Sequence, residues 1–134
     1  VNTSQAKIPE SKPEIKEQKM SPIKKEKSAA DIKAQALNLS ALIEYQPGSV
    51  VSREIIGKPT GTVTIFAFAE GQGLSEHTAP FDAFIYMIDG ETDITISGRV
   101  YRLTAGQMIV MPANEPHALK AIRKFKMMLV MIRS

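Results

Sequence analysis

From about residue 39 onward, short apolar-rich runs alternate with polar turn residues. The runs rich in β-branched and aromatic residues predict strands over Ser49–Ile56, Thr62–Ala69, Asp82–Ile88, Thr92–Ser97, Arg99–Leu103, Gln107–Met111, His117–Ala121 and Phe125–Ile132. Between them stand Pro47-Gly48, Gly57 to Gly61, Gly71-Gln72-Gly73, Asp89-Gly90, Ser97-Gly98, Ala105-Gly106 and Pro112-Ala113-Asn114. Each is a turn signal with a mechanism, because glycine tolerates positive φ and proline presets its own. Ser97-Gly98 predicts the tightest hairpin, a two-residue loop. Many short strands with little helix point to an all-β sandwich or barrel. Roughly a hundred residues make one modest core, so a homodimer is expected to hide further apolar surface.

The first 38 residues follow no such pattern. They are Lys, Glu, Ser, Pro and Gln with scattered single aliphatics, and every aromatic residue and every glycine lies after them. Their eight lysines face five acids, which accounts for the whole net charge of +3. Residues 1–38 are therefore expected to be a disordered, solvated tail, with residues 39–134 as the folded domain. Within the tail only Ala29–Leu42 looks helix-like. The lysines alternate with glutamates and no aromatic is present to stack on a base, so no nucleic-acid partner is expected.

The 134 residues contain no cysteine, which removes disulfides, thiolate catalysis and Cys-ligated zinc. No apolar stretch has the length of a signal-peptide core or a membrane span, so no membrane partner and a cytoplasmic location are expected. A phosphate-binding glycine loop, a nucleophile elbow and a helix-turn-helix pattern are all absent.

Only two histidines occur, His77 and His117, and both stand in spaced patterns. Gly71, five residues, His77, Thr78, Ala79, three residues, Ala83, six residues and Gly90 form the first. Gly106, five residues, Pro112, one residue, Asn114, two residues, His117, three residues and Ala121 form the second. With the strand rhythm, these spacings make residues 60–121 resemble the cupin superfamily. The resemblance implies a double-stranded β-helix, a small jelly-roll barrel. It also implies a divalent metal (Fe, Mn, Ni, Cu or Zn) at four motif positions in many members. Here two of those four are alanine, Ala79 and Ala83, leaving His77 and His117 as candidate ligands. Asn114 stands where the family has glycine, and asparagine tolerates the left-handed backbone that such a turn needs.

Strand alternation places Ala83, Ile85 and Met87 on one face, and His117, Leu119 and Ala121 on another. With His77 and Ala79 they outline an expected small-molecule pocket, apolar with two imidazoles at one end. Imidazole could hydrogen-bond a carboxylate, a phenol or a sugar hydroxyl, or shuttle a proton. Catalytic zinc uses three protein ligands, which would need Gln72, Glu76 or Asp82 to join the histidines. Alternation turns Glu76 and Asp82 away from them, and no catalytic residue can be assigned. The bland reading of His117 is a strand-end histidine bonded to a backbone carbonyl. For the six methionines from Met87 to Met131 the expected role is adaptable core or interface filling, with a soft-metal site the remoter option. Phe84 and Tyr86 are expected on the outer face as a sheet or dimer surface. The expected function is a stand-alone binding module for a small organic ligand. The alternative is a metal-dependent dioxygenase or isomerase with a non-standard ligand set.

Overall fold

Strands form wherever the alternating runs lie, in a computed structural model that describes residues 23–25 and 32–133. Among these residues the strands are β1 (Ile23–Lys25), β2 (Val50–Lys58), β3 (Gly61–Phe68), β4 (Gly73–His77), β5 (Ala83–Ile96), β6 (Arg99–Thr104), β7 (Met108–Met111) and β8 (His117–Ile132). β5 and β8 pair antiparallel along nearly their full lengths, from Ala83 opposite Met131 to Ile96 opposite His117. The first half of β5 also takes β7, while the second half of β8 takes β3, then β2 and β1. The second half of β5 takes β6 and the first half of β8 takes β4. Two sheets thus face each other, the first with β1, β2, β3 and β7 and the second with β4 and β6, and share β5 and β8, which makes the jelly-roll barrel.

Four predicted strands are here fused into two. The Asp89-Gly90 turn does not reverse the chain; register shifts at Met87/Asp89 and Gly90/Thr92 bend β5 from one sheet into the other, with β8 alongside. Gly90 has φ +81°, and a Cβ there would lie 2.0 Å from the Lys124 carbonyl oxygen. The bend therefore requires a residue with neither a Cβ nor a preference for negative φ. By contrast Ser97-Gly98 is a true hairpin, both residues at positive φ and Ile96 facing Arg99 across it. β4 has no counterpart among the predicted strands because Gly-Leu-Ser-Glu-His offers one apolar residue.

Alternate residues of both sheets fill the barrel. Phe68, Ile85, Met87, Ile94 and Phe125 have no exposed surface, and Phe68 stacks on its register partner Phe125 at 4.4 Å. Thr92 is equally buried, its hydroxyl donating to the Lys120 carbonyl at 2.9 Å.

Most of the tail predicted over residues 1–38 lies outside the described residues. In the described part Ile23–Lys25 pair in parallel with Val50–Ser52, so pairing reaches beyond the expected boundary at residue 39. The open edge of β2 supplies the unpaired backbone groups that this strand meets. The helix-like stretch yields one 3-10 turn, Leu39–Leu42. It leads Leu39, Leu42, Ile43 and Tyr45 onto the outer face of the first sheet, against Val51, Ile65 and Met128. Cations hold it there: Arg53 Nη1 donates to the Leu42 carbonyl at 3.0 Å and Lys126 Nζ to that of Ser40 at 2.6 Å. Tyr45 donates its hydroxyl to Asp89 at 2.6 Å, and the Lys124 and Lys126 ammonium groups sit over its ring. Burial, then the bond to Asp89, pushes the phenol far above its ordinary pKa.

Candidate functional site

β4 ends and β8 begins at the same place, so His77 and His117 are direct register partners. Their rings meet edge to face with centroids 4.4 Å apart. His117 is buried at 4 % exposure, and His77 is half-buried at the mouth. Burial and the neighbouring imidazole push His77 down to about 4, and burial lowers His117 as well. Both rings are therefore neutral at pH 7.

Each ring is anchored to its own strand. His77 Nδ1 lies 2.7 Å from the Ser75 carbonyl oxygen, and His117 Nδ1 lies 3.1 Å from that of Glu115. The bond to a backbone carbonyl expected as the bland reading of His117 is thus present, and His77 makes the same one. No signal in the motif spacing announced these carbonyls, although each stands two residues before its histidine.

The loops carrying the two motifs are tied together. Asn114 adopts φ +66°, the left-handed backbone expected of it, and donates its N–H to the Ala79 carbonyl at 2.7 Å. Asp82 accepts the Ala113 N–H at 2.8 Å. Its carboxylate is thereby committed to the turn and does not join the histidines.

The other expected pocket residues lie on the barrel side. Ala83, Ile85, Met87 and Leu119 belong to one packed core with Phe66, Met111 and Met127. Ala79 is buried in the linking loop at 7 % exposure. Ala83 stands between Met111 and Met131 in the register, so methionine stems flank it. Met87, Met111 and Met127 are buried, while Met108 is exposed on the outside, matching the expected division between core and surface.

The site does not fit the divalent metal that the resemblance implies for many members. Two imidazoles are present, and among the described residues no group of three or more His, Cys, Asp or Glu side chains converges. Glu70, Glu76 and Asp82 are all exposed.

On the outer face Phe84 stands between Val110 and Val130, beside an open groove of about 470 Å³ that Phe81 and Ile132 also line. Tyr86 lies between Met108 and Met128 in the next such row, so Phe84 and Tyr86 do share the outer face.

Residues 64–133 match the family model described as Cupin domain. Among solved structures the chain is similar to a conserved protein of unknown function from Streptococcus pyogenes. Identity is 35 % and the TM-score 0.73, over 75 % of this chain and 89 % of that one. A cupin superfamily protein from Desulfitobacterium hafniense is similar at 25 % identity and TM-score 0.73, over 76 % and 94 %. A cupin 2 conserved barrel domain protein from Leptotrichia buccalis reaches 37 % identity and TM-score 0.70, covering 72 % of this chain but 47 % of that one. No curated protein matches the sequence. No helix among the described residues is long and apolar enough to cross a membrane.

Proposed function

The chain belongs to the cupin family, and from that premise we propose that it is a binding module which holds a small organic ligand at the barrel mouth against His77 and His117. The observation that carries this reading is the pairing of two neutral imidazoles at 4.4 Å, at the end of an apolar interior, with no carboxylate among the described residues converging on them. Such a mouth gives a small molecule a few directional contacts and an apolar surround. A metal-dependent dioxygenase or isomerase would need at least one further ligand, and alanine at positions 79 and 83 supplies none.

The deciding experiment is elemental analysis and native mass spectrometry of protein purified without added metal or chelator, with His77→Ala and His117→Ala in parallel. Metal well below one equivalent in all three is the expected result, with any co-purifying organic mass lost in the variants. Near-stoichiometric iron, manganese, nickel, copper or zinc that disappears in both variants would replace this reading with the metal-dependent enzyme.

A second copy of the chain is the proposed protein partner, across the outer face of the first sheet. Supporting this, Val110, Met108 and Ile132 expose 47 %, 49 % and 69 % of their surface there. The adjoining part of the same face is already covered by the chain's own Leu39–Tyr45 segment, so the apolar surface continues past its cover. In a two-fold contact the same apolar patch on each copy would cover the other.

A further inference from the structure

β6 and β7 are joined by only three residues, Ala105-Gly106-Gln107, yet they do not pair with each other. Each is held by a different half of β5, and the bend at Gly90 sends those halves into different walls. The two strands are therefore the free edges of the two sheets on one flank of the barrel, diverging from their shared turn. Gln107 closes the apex, its side-chain oxygen accepting from the Thr104 N–H at 2.9 Å and from the Thr104 hydroxyl at 3.2 Å. At the other end the Ser97 hydroxyl donates to Glu115 Oε1 at 3.0 Å, which ties the β5–β6 hairpin to the loop before β8.

Between these edges opens a cleft of about 370 Å³, in the lower range of small-molecule sites. Its floor is barrel core: Ile96 is only 7 % exposed, and Tyr101 and Ile109 pack against the same cluster. Its rim carries one charge of each sign, Arg99 and Glu115. The Arg99 guanidinium lies 5.5 Å from the centroid of the Tyr101 ring, which holds the cation over the floor. Glu115 is held in turn by Ser97. The ion pairs among the described residues join Arg102 and Arg123 to Glu91 and Asp93, so neither rim charge is engaged in one.

We propose that this cleft binds a small zwitterion with an apolar side chain, an apolar or aromatic α-amino acid. Its carboxylate lies toward Arg99, its ammonium toward Glu115 and its side chain on Ile96, Tyr101 and Ile109. Neither histidine lines the cleft, so the site is additional to the one proposed at His77 and His117. Both rim charges are exposed, and an exposed ion pair contributes little, so the selectivity they confer is modest. A molecule with one charge alone forgoes one of the two contacts.

The test titrates the full chain, labelled with nitrogen-15, with L-phenylalanine. Phenethylamine and hydrocinnamate are titrated separately; they keep the ring and lose the carboxylate or the ammonium. Amide spectra read position and affinity together. Phenylalanine is expected to shift the amides of Arg99, Tyr101 and Ile109 in a saturable way, at least about threefold more tightly than either analogue. Arg99→Gln is expected to remove its advantage over phenethylamine, and Glu115→Gln its advantage over hydrocinnamate. An analogue that matches phenylalanine, or an advantage that survives both substitutions, overturns the zwitterion class. No saturable shift with any of the three overturns the site. Shifts centred on His77 and His117 with the cleft amides unmoved also overturn it, and leave the binding reading of the histidines standing. The three-probe comparison uses the unmodified chain, so a variant that fails to fold cannot mask the answer.

Discussion

At the scale of single residues, the facing imidazoles make acid a destabilising condition. An unfolded histidine takes up its proton near pH 6.5, whereas His77 in the fold resists until about 4. Between those values the unfolded chain binds more protons, so stability falls as pH drops from 6.5 to 4. Above 6.5 this cause contributes no pH dependence. His117, also lowered, acts in the same direction. From His77 the loss should be about 2–3 kcal/mol across the window. Urea unfolding at pH 7.5, 6 and 5 should show it, and His77→Gln should flatten the slope; a slope of opposite sign would refute the account. Ala79 gives a complementary test. Ala79→Leu should abolish ligand uptake measured by titration, with stability changed by about 1–3 kcal/mol; uptake undiminished by the larger side chain would place the ligand elsewhere. These residues were legible in the sequence because two spacings had to coincide, Gly71 to Gly90 and Gly106 to Ala121. The carbonyls of Ser75 and Glu115 were not legible, since their direction depends on backbone dihedrals that no residue identity reports.

At the scale of elements, the strands with strong apolar alternation were placed within a few residues, while their continuity was not. Asp89-Gly90 reads as a hairpin signal because glycine is needed at positive φ both in hairpins and in bulged bends. What distinguishes the two is whether the flanking strands pair with each other or with a third. Here both halves of β5 pair with β8, a partner about thirty residues away in sequence. Gly90→Ala is accordingly expected to be severe, with positive φ and contact with the Lys124 and Phe125 backbone both opposing a side chain. A loss of about 3 kcal/mol or more is the expected result of chemical denaturation. The Leu39–Tyr45 segment was legible only as helix-like, because its cover of the sheet depends on cations distant in sequence. Tyr45→Phe keeps the ring under Lys124 and Lys126 and removes the hydroxyl bound to Asp89, so a loss of about 1 kcal/mol is expected.

At the scale of the whole molecule, the apolar outer face bears on assembly. If a second copy covers it, sedimentation should give a dimer and Val110→Lys a monomer with an intact fold. A wild-type chain that sediments as a monomer at all concentrations would remove the dimer from the account. The strand rhythm made an all-β sandwich or barrel legible, and the resemblance of the two motifs to the cupin superfamily made it a jelly roll. The reach of β1 onto β2 was not, because Ile23–Lys25 sits in a lysine-rich stretch with little strand character of its own. The two long strands carry one more consequence. β5 and β8 each serve as a stave in both walls, so neither wall can be peeled away without tearing the other. Amide hydrogens on the far halves of these strands, some near the histidines and some near Met131, should therefore exchange with solvent at one common free energy, as a single indivisible unit.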